Sequence, residues 1–153
     1  MNKSLKLSAL IGVFFFGAFV TGYAQTNKGT LNHMALSVYD LQKSTAFYTE
    51  VLQLDTVPEP FKDGRHVWLQ IAPGYTMHLI ADATEIKTHN QNTHTCFSVA
   101  SIDDFLVHLR KFDLPYYSAR GELGKVGTRV DGVKQLYIKD PDGYWIEVND
   151  EKR

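Results

Sequence analysis

Apolar and polar positions follow the same order twice along this chain. An apolar, β-branched run at 31–38 (LNHMALSV) predicts a buried strand, and a similar run at 92–99 (NTHTCFSV) predicts a second one. His33 and His94 occupy the same place in the two runs, and each is followed four residues later by a Ser-Val pair. We therefore interpret the chain as two copies of one structural unit.

Each predicted strand is followed by a helix start and then by a hairpin. Asp40 and Ser101 stand where a helix N-cap is expected, in front of amphipathic segments. Further on, each unit has two strand-like runs separated by a turn, which contains Gly74 in the first unit and Gly143 in the second. Each unit is thus predicted to be a βαβββ module. Neither module closes a core alone, so we expect an α+β fold in which the two sheets pair.

The repeat also predicts the domain boundaries. Residues 30–150 are expected to form a single domain, with module 1 at about 30–82, a polar linker at 83–91 and module 2 at about 92–150. A domain of this length buries about two-thirds of its unfolded surface. It can therefore fold around a core of its own.

The segment before this domain has the pattern of a cleavable signal peptide, which we place at residues 1–24. Two lysines precede an uncharged apolar run at 9–20, and Gly22 and Ala24 supply the small residues of a cleavage site. The apolar run is shorter than the roughly 20 residues of a membrane-spanning helix. We expect a periplasmic or secreted protein with no stable membrane association after cleavage; the alternative is an uncleaved N-terminal anchor.

Charge and cysteine content narrow the set of partners. The chain has 16 basic and 17 acidic residues, a net charge of -1, and no basic patch that would favour nucleic acid. Cys96 is the single cysteine, so no intrachain disulfide can form, and its apolar surroundings predict a buried thiol. These numbers therefore give no reason to expect a nucleic-acid partner.

Four side chains that can bind a metal lie at equivalent points of the repeat. His33 and His94 are in the first strands, and aligning the two hairpin turns matches His78 with Glu147 in the last strands. A pseudo-twofold axis between the modules would let all four converge. Three imidazoles and a carboxylate suit a divalent ion such as Zn, Ni, Fe or Mn.

A single strand histidine is more often a hydrogen-bonded core residue than a ligand. The coincidence of four such positions in a repeated frame favours ligands here. His78 is the weakest candidate of the four, because many sites of this kind need only three protein ligands.

Three segments resemble the glyoxalase/bleomycin-resistance/extradiol-dioxygenase superfamily, also called the vicinal-oxygen-chelate superfamily. LNHMALSVYDLQKSTAFYTEVLQL and NTHTCFSVASIDDFLVHL are similar to its module openings, and LYIKDPDGYWIEV is similar to its closing hairpin. The resemblance spans about residues 30–150. It implies two βαβββ modules pairing into a half-open barrel, a divalent metal, and ligand roles for His33, His94 and Glu147. The family commonly pairs modules between chains, and exposed sheet edges need cover, so we expect a homodimer whose site can combine ligands from both subunits.

The resemblance also implies a function. We expect a divalent-metal-dependent, glyoxalase-like lyase or isomerase that acts on a small oxygen-chelating substrate through a metal-stabilised enediolate. Where glyoxalase I enzymes carry a glutamate in the first module, this chain has His78. Glu147 is then the one ligand carboxylate left to act as the catalytic base. The alternatives are an extradiol-type dioxygenase, a fosfomycin-type thiol transferase and a non-catalytic small-molecule-binding resistance protein.

Overall fold

The computed structural model describes residues 28–152, and the residues from Leu31 onward form one compact unit. The predicted signal peptide, residues 1–24, lies outside the described residues and stays a prediction. Between residues 28 and 152, no helix has the length and apolar character needed to cross a membrane.

The first half of the domain is a four-stranded sheet with one helical segment. Its elements are β1 (His33–Val38), α1 (Leu41–Ala46), a π-helical turn (Phe47–Val51), β2 (Thr56–Val57), β3 (His66–Ala72) and β4 (Tyr75–Ala81). The strand order is β1-β4-β3-β2, with β1 parallel to β4 and the other pairs antiparallel.

The second half repeats this arrangement. Its elements are β5 (His94–Ser98), α2 (Ile102–Leu109), a 3-10 turn (Arg110–Phe112), β6 (Gly127–Thr128), β7 (Lys134–Lys139) and β8 (Trp145–Asn149). The strand order is β5-β8-β7-β6, with β5 parallel to β8. The predicted α+β fold of two βαβββ modules is therefore confirmed.

The helix starts and hairpin turns form for the local reasons that the sequence indicated. Asp40 accepts a 3.1 Å hydrogen bond from the backbone N–H of Lys43, and Ser101 accepts one of 3.2 Å from that of Asp104. Each bond satisfies a backbone donor that the helix itself leaves unpaired. Gly143 has φ +85°, a conformation that favours glycine, at the turn between β7 and β8.

Alternation along the strands gives each sheet a face that forms the shared core and an opposite face. Leu79 of β4 and Val148 of β8 are fully buried, together with Tyr48 and Leu109 from the helical segments, in a core that both modules share. The opposite side of the first sheet carries His33, Trp68 and His78, and we call it the first ligand face. The opposite side of the second sheet carries His94, Tyr137 and Glu147, and we call it the second ligand face.

Two buried aspartates join the modules, and with their donors they form what we call the module latch. Asp142 accepts 2.6 Å hydrogen bonds from the backbone N–H of Tyr39 and from the hydroxyl of Ser44. Asp140 accepts a 2.8 Å bond from the hydroxyl of Tyr48. All three donors belong to module 1, whereas both acceptors lie in the β7–β8 turn of module 2. The aspartates of the DPDG sequence therefore fix one module to the other.

The linker between the modules packs against the same turn. The ring of His89 stacks on that of Tyr144, with 4.1 Å between centroids. A Cβ atom added to Gly143 would lie 2.5 Å from the carbonyl oxygen of Lys87. Glycine is thus required here both by its backbone conformation and by the approach of the linker.

Candidate metal centre

The second ligand face brings His94 and Glu147 together. Their strands are adjacent and parallel, and Nε2 of His94 lies 3.2 Å from Oε2 of Glu147. Nδ1 of His94 lies 2.8 Å from the carbonyl oxygen of Gln91, which only accepts hydrogen bonds. Nδ1 is therefore the donor in that bond, and Nε2 is the ring nitrogen that faces the carboxylate.

Nε2 and Oε2 can approach this closely when either a proton or a metal cation lies between them. A divalent ion bound at about 2.0–2.2 Å by two neighbouring ligands holds their donor atoms about 3.0–3.4 Å apart. The His94–Glu147 separation falls within that interval. The backbone bond to Nδ1 is also the kind of support that orients a metal-binding histidine. This pair therefore fits two ligands of one metal ion.

Three donors surround Glu147, which is only 7% exposed. Tyr137 donates a 2.6 Å bond to Oε2, Asn149 donates one of 2.9 Å to Oε1, and the thiol of Cys96 lies 3.4 Å from Oε1. Burial opposes ionisation of Glu147, but the bonds from Tyr137, Asn149 and Cys96 outweigh it and lower the pKa of the carboxyl. Burial and the bond to Glu147 raise the pKa of Tyr137, so its hydroxyl remains a donor.

Cys96 differs from its sequence-based prediction. We expected a buried thiol, but Cys96 is exposed and shares the second ligand face with His94. The apolar character of the run comes from Phe97 and Val99, which pack against the core from the opposite side of the strand. Strand alternation therefore decided the position of this thiol, whereas overall hydropathy misled the prediction.

The first ligand face brings His33 and His78 together in a stack of rings. Their centroids are 4.4 Å apart with an interplanar angle of 11°, and the other face of His78 stacks on Trp68 at 3.9 Å. Nδ1 of His33 lies 2.8 Å from Oδ1 of Asn32, which leaves Nε2 available as a ligand atom. Nε2 of His78 instead lies 3.0 Å from the hydroxyl of Thr76.

The charge state of His78 suits metal binding. Burial of the ring lowers its pKa most, and the nearby rings of His33 and His66 lower it further. The imidazole is therefore neutral at neutral pH and keeps a lone pair that can be donated.

The four predicted ligands meet as two pairs, one on each ligand face. Among residues 28–152, no three or more His, Cys, Asp or Glu side chains form a group that could hold a metal ion. Within one chain, His33 therefore lies next to His78, and His94 lies next to Glu147. The assignment of all four to one ion stays a prediction.

Sequence reasoning did not single out Tyr137 and Asn149, although both contact Glu147. A signal was available in the hairpin. The Asp140–Gly143 turn joins β7 to β8 as a hairpin. Residues at equal distances from the turn then lie opposite each other, which places Tyr137 directly opposite Glu147. Asn149 follows from alternation, because it lies two residues beyond Glu147 on the same face of β8.

Comparison with known proteins identifies the relatives of this arrangement. The sequence profile described as Glyoxalase/Bleomycin resistance protein/Dioxygenase superfamily matches residues 30–148. A lactoylglutathione lyase of Pseudomonas putida is 28% identical over 155 aligned residues, which cover 80% of this chain and 86% of that protein.

Two solved structures share the fold. The oxidase ChaP-H2 has a TM-score of 0.67 at 22% identity, covering 81% of this chain and 94% of its own. The fosfomycin resistance protein FosX of Listeria monocytogenes has a TM-score of 0.63 at 19% identity, covering 82% and 95%. Because these relatives are named for different activities, the fold alone does not select one of them.

Proposed function

Because this chain belongs to the glyoxalase/bleomycin resistance protein/dioxygenase superfamily, we propose that it is a divalent-metal-dependent lyase or isomerase of the glyoxalase type. Its substrate is a small molecule that chelates the metal through two neighbouring oxygens. The observation that carries the proposal is the His94–Glu147 pair, whose Nε2 and Oε2 atoms lie 3.2 Å apart. The likeness to a lactoylglutathione lyase supports the reaction class.

The proposed ligands rank according to the state of their donor atoms. His33 and His94 each use Nδ1 in a local hydrogen bond and keep Nε2 for the metal. Glu147 is the anionic ligand. His78 is the weaker fourth ligand, because its Nε2 is already within hydrogen-bond distance of Thr76. Three imidazoles and one carboxylate suit Zn, Ni, Fe or Mn.

A homodimer completes the proposed site. A stable site needs at least three protein ligands, and one chain offers its ligands as two pairs within residues 28–152. The first ligand face carries the aromatic side chain of Phe61, which is 59% exposed and lies beside Trp68. In the proposed dimer, this face covers the second ligand face of the other copy, and each site receives one pair from each chain.

The proposed mechanism divides the work between the metal and the chain. When bound, the ion supplies Lewis-acid polarisation of the substrate oxygens. Glu147 is the proposed catalytic base, because it is the carboxylate among the four candidates and its lowered pKa keeps it ionised. A carboxylate with a lowered pKa is a weak base. The proton that it removes must therefore be an acidic one, such as a hydrogen on the carbon next to a carbonyl group.

An Fe²⁺ dioxygenase of the extradiol type is the second candidate. If Thr76 keeps Nε2 of His78 occupied, the remaining set is His33, His94 and Glu147. Two histidines and one carboxylate with open positions are typical of non-haem iron oxygenases. Under this alternative, catechols are turned over with consumption of oxygen, and hemithioacetals are not.

Metal content measured for single alanine variants tests the proposal. Bound metal per chain is determined by elemental analysis, beside circular dichroism as a check of folding. Replacing His33, His94 or Glu147 is expected to lower affinity by orders of magnitude, since a direct bond to the ion is lost. His78→Ala is expected to do less, because water can take the vacated position. A folded His33→Ala or Glu147→Ala protein with full metal would overturn the proposed site.

The reaction is tested on the metal-loaded protein. A small panel of hemithioacetals and catechols separates the two candidates. Isomerisation of a hemithioacetal supports the first, and ring opening of a catechol with oxygen uptake supports the second. A metal-loaded protein that turns over neither, yet binds members of the panel, contradicts both candidates.

A further inference from the structure

We infer that Tyr137 is a positioning residue of the metal centre, and that its hydroxyl fixes the Glu147 oxygen that faces His94. The inference rests on the proposed function, because it concerns the same carboxylate. Tyr137 itself is not assigned as a ligand or as a base.

The contacts of Tyr137 join it to both members of the ligand pair. Its hydroxyl donates a 2.6 Å bond to Oε2 of Glu147, and its ring meets that of His94 edge to face, with 5.3 Å between centroids. A charge-assisted O–H···O⁻ bond of this length is among the stronger hydrogen bonds in proteins. A shift of Tyr137 would therefore disturb the oxygen and the imidazole together.

The backbone of Tyr137 is held on both sides. In β7 it pairs with Glu147 of β8, and on its other side it exchanges two 2.8 Å backbone bonds with Tyr117. The side chain is only 6% exposed. A buried ring on a doubly paired backbone has little freedom to move, and positioning requires this rigidity.

The hydrogen bonds leave the carboxylate one orientation. A carboxylate oxygen has two lone-pair sites, so Oε2 accepts from Tyr137 at one and presents the other toward His94. Asn149, which is buried, holds Oε1 from the opposite end. Because both oxygens are held, the side chain loses little additional freedom when it binds an ion.

The first module provides an internal comparison. Trp68 lies opposite His78 in the β3–β4 pair, just as Tyr137 lies opposite Glu147 in the β7–β8 pair. Likewise Ala35 lies beside His78 where Cys96 lies beside Glu147. The imidazole thus has a stacking ring and a methyl group as neighbours, whereas the carboxylate has a hydroxyl and a thiol. The residue beside each candidate ligand matches the chemistry of that ligand, which is expected if the neighbour orients it.

The test compares Tyr137→Phe with Tyr48→Phe in the full-length protein, with Co²⁺ as the probe. Both substitutions remove one buried hydroxyl that donates to a carboxylate, but Tyr48 donates to Asp140, away from the ligand faces. Co²⁺ affinity is measured by competition with a chelator, and the visible spectrum of the cobalt-loaded protein reports ligand geometry. Tyr137→Phe is expected to weaken affinity by about 10- to 100-fold, as loss of a group that orients a metal ligand does, and to change the spectrum. Tyr48→Phe is expected to leave affinity and spectrum unchanged.

A measurement on the unsubstituted protein covers the case in which Tyr137→Phe fails to fold. The buried Tyr137 hydroxyl proton is expected as a downfield proton resonance that persists when Zn²⁺ is added. Its disappearance on Zn²⁺ binding would show that the bond breaks, and would overturn the inference.

Unchanged Co²⁺ affinity and spectrum in folded Tyr137→Phe would overturn the inference while leaving the proposed function intact. Failure of the unsubstituted protein to bind Co²⁺ or Zn²⁺ would overturn the proposed function, and the inference with it.

Discussion

The hydroxyl of Tyr48 lies 2.8 Å from a carboxylate oxygen of Asp140, ninety-two residues further along the chain. Tyr48 is 1% exposed and Asp140 is 5% exposed, so this bond of the module latch is shielded from water. A buried carboxylate that loses a donor has no solvent to replace it. The stability of the domain should therefore depend on this contact between its modules.

Tyr48→Phe is expected to lower the free energy of unfolding by about 1.5–3 kcal/mol, the usual contribution of a hydrogen bond to a charged group. Urea denaturation measures the change. Tyr144→Phe is the matched control, because its hydroxyl donates a 3.2 Å bond to the carbonyl of Ser37 at an exposed position. The control should lower the free energy of unfolding by no more than about 0.5 kcal/mol, the usual range for substitutions at exposed positions. Equal stability of the two variants would contradict the latch.

The same carboxylate should make stability depend on pH. Burial raises the pKa of Asp140 from 3.8 to about 6, against the opposing bonds from Tyr48 and Tyr144. Because the folded pKa exceeds the unfolded one, the contribution to stability is full below pH 3.8 and is lost as pH rises through about 6. The loss amounts to at most about 3 kcal/mol. Asp140→Asn should remove it.

The measurement is the free energy of unfolding of the unsubstituted protein and of Asp140→Asn at several values between pH 4 and pH 7. Other titrating groups act in both proteins, so the difference between the two curves isolates Asp140. The difference should change across this window. Two parallel curves would show that Asp140 titrates normally in the fold.

Gly143→Ala should destabilise the domain by more than the cost of a positive φ alone. That cost is about 1–2 kcal/mol for a residue with a Cβ. Gly132 has nearly the same φ, +87°, but a Cβ there would meet nothing within 4 Å. Gly132→Ala therefore measures the backbone cost. Urea denaturation measures the free energy of unfolding of both variants. Any loss in Gly143→Ala beyond that in Gly132→Ala reports the clash with the Lys87 carbonyl. Equal losses would show that the linker moves to make room for the methyl group.

Mixed dimers test whether each site takes one pair of ligands from each chain. His33→Ala and Glu147→Ala chains each lack a ligand, but a dimer of one with the other has one intact site. Random mixing should restore roughly a quarter of the normal metal content, since half of the dimers are mixed and half of their sites are intact. Mixing His94→Ala with Glu147→Ala should restore nothing, because both changes lie on the second ligand face. Equal metal content in the two mixtures would argue against the shared site.

Local patterns made much of this fold predictable. The caps at Asp40 and Ser101 and the turns at Gly74 and Gly143 each depend on a few neighbouring residues, and the structure confirms them. The repeat then fixed the register between modules. It placed Glu147 at the position equivalent to His78, which alternation alone could not do.

The remaining features depend on contacts between distant segments. The latch joins Tyr39, Ser44 and Tyr48 to a turn about a hundred residues away, and no periodicity encodes such pairings. The sorting of ligands into two pairs likewise depends on how the sheets pack. Tyr137 is different, since its place opposite Glu147 follows from the hairpin itself and could have been predicted.

The module latch also bears on how two chains can assemble. Exchange of whole modules between chains, as in domain swapping, would first break its three hydrogen bonds and leave Asp140 and Asp142 buried without those donors. Each subunit should therefore enter and leave a dimer as an intact folded body. Subunit exchange should then follow the dissociation rate of the interface and proceed in native buffer, with no need for denaturant.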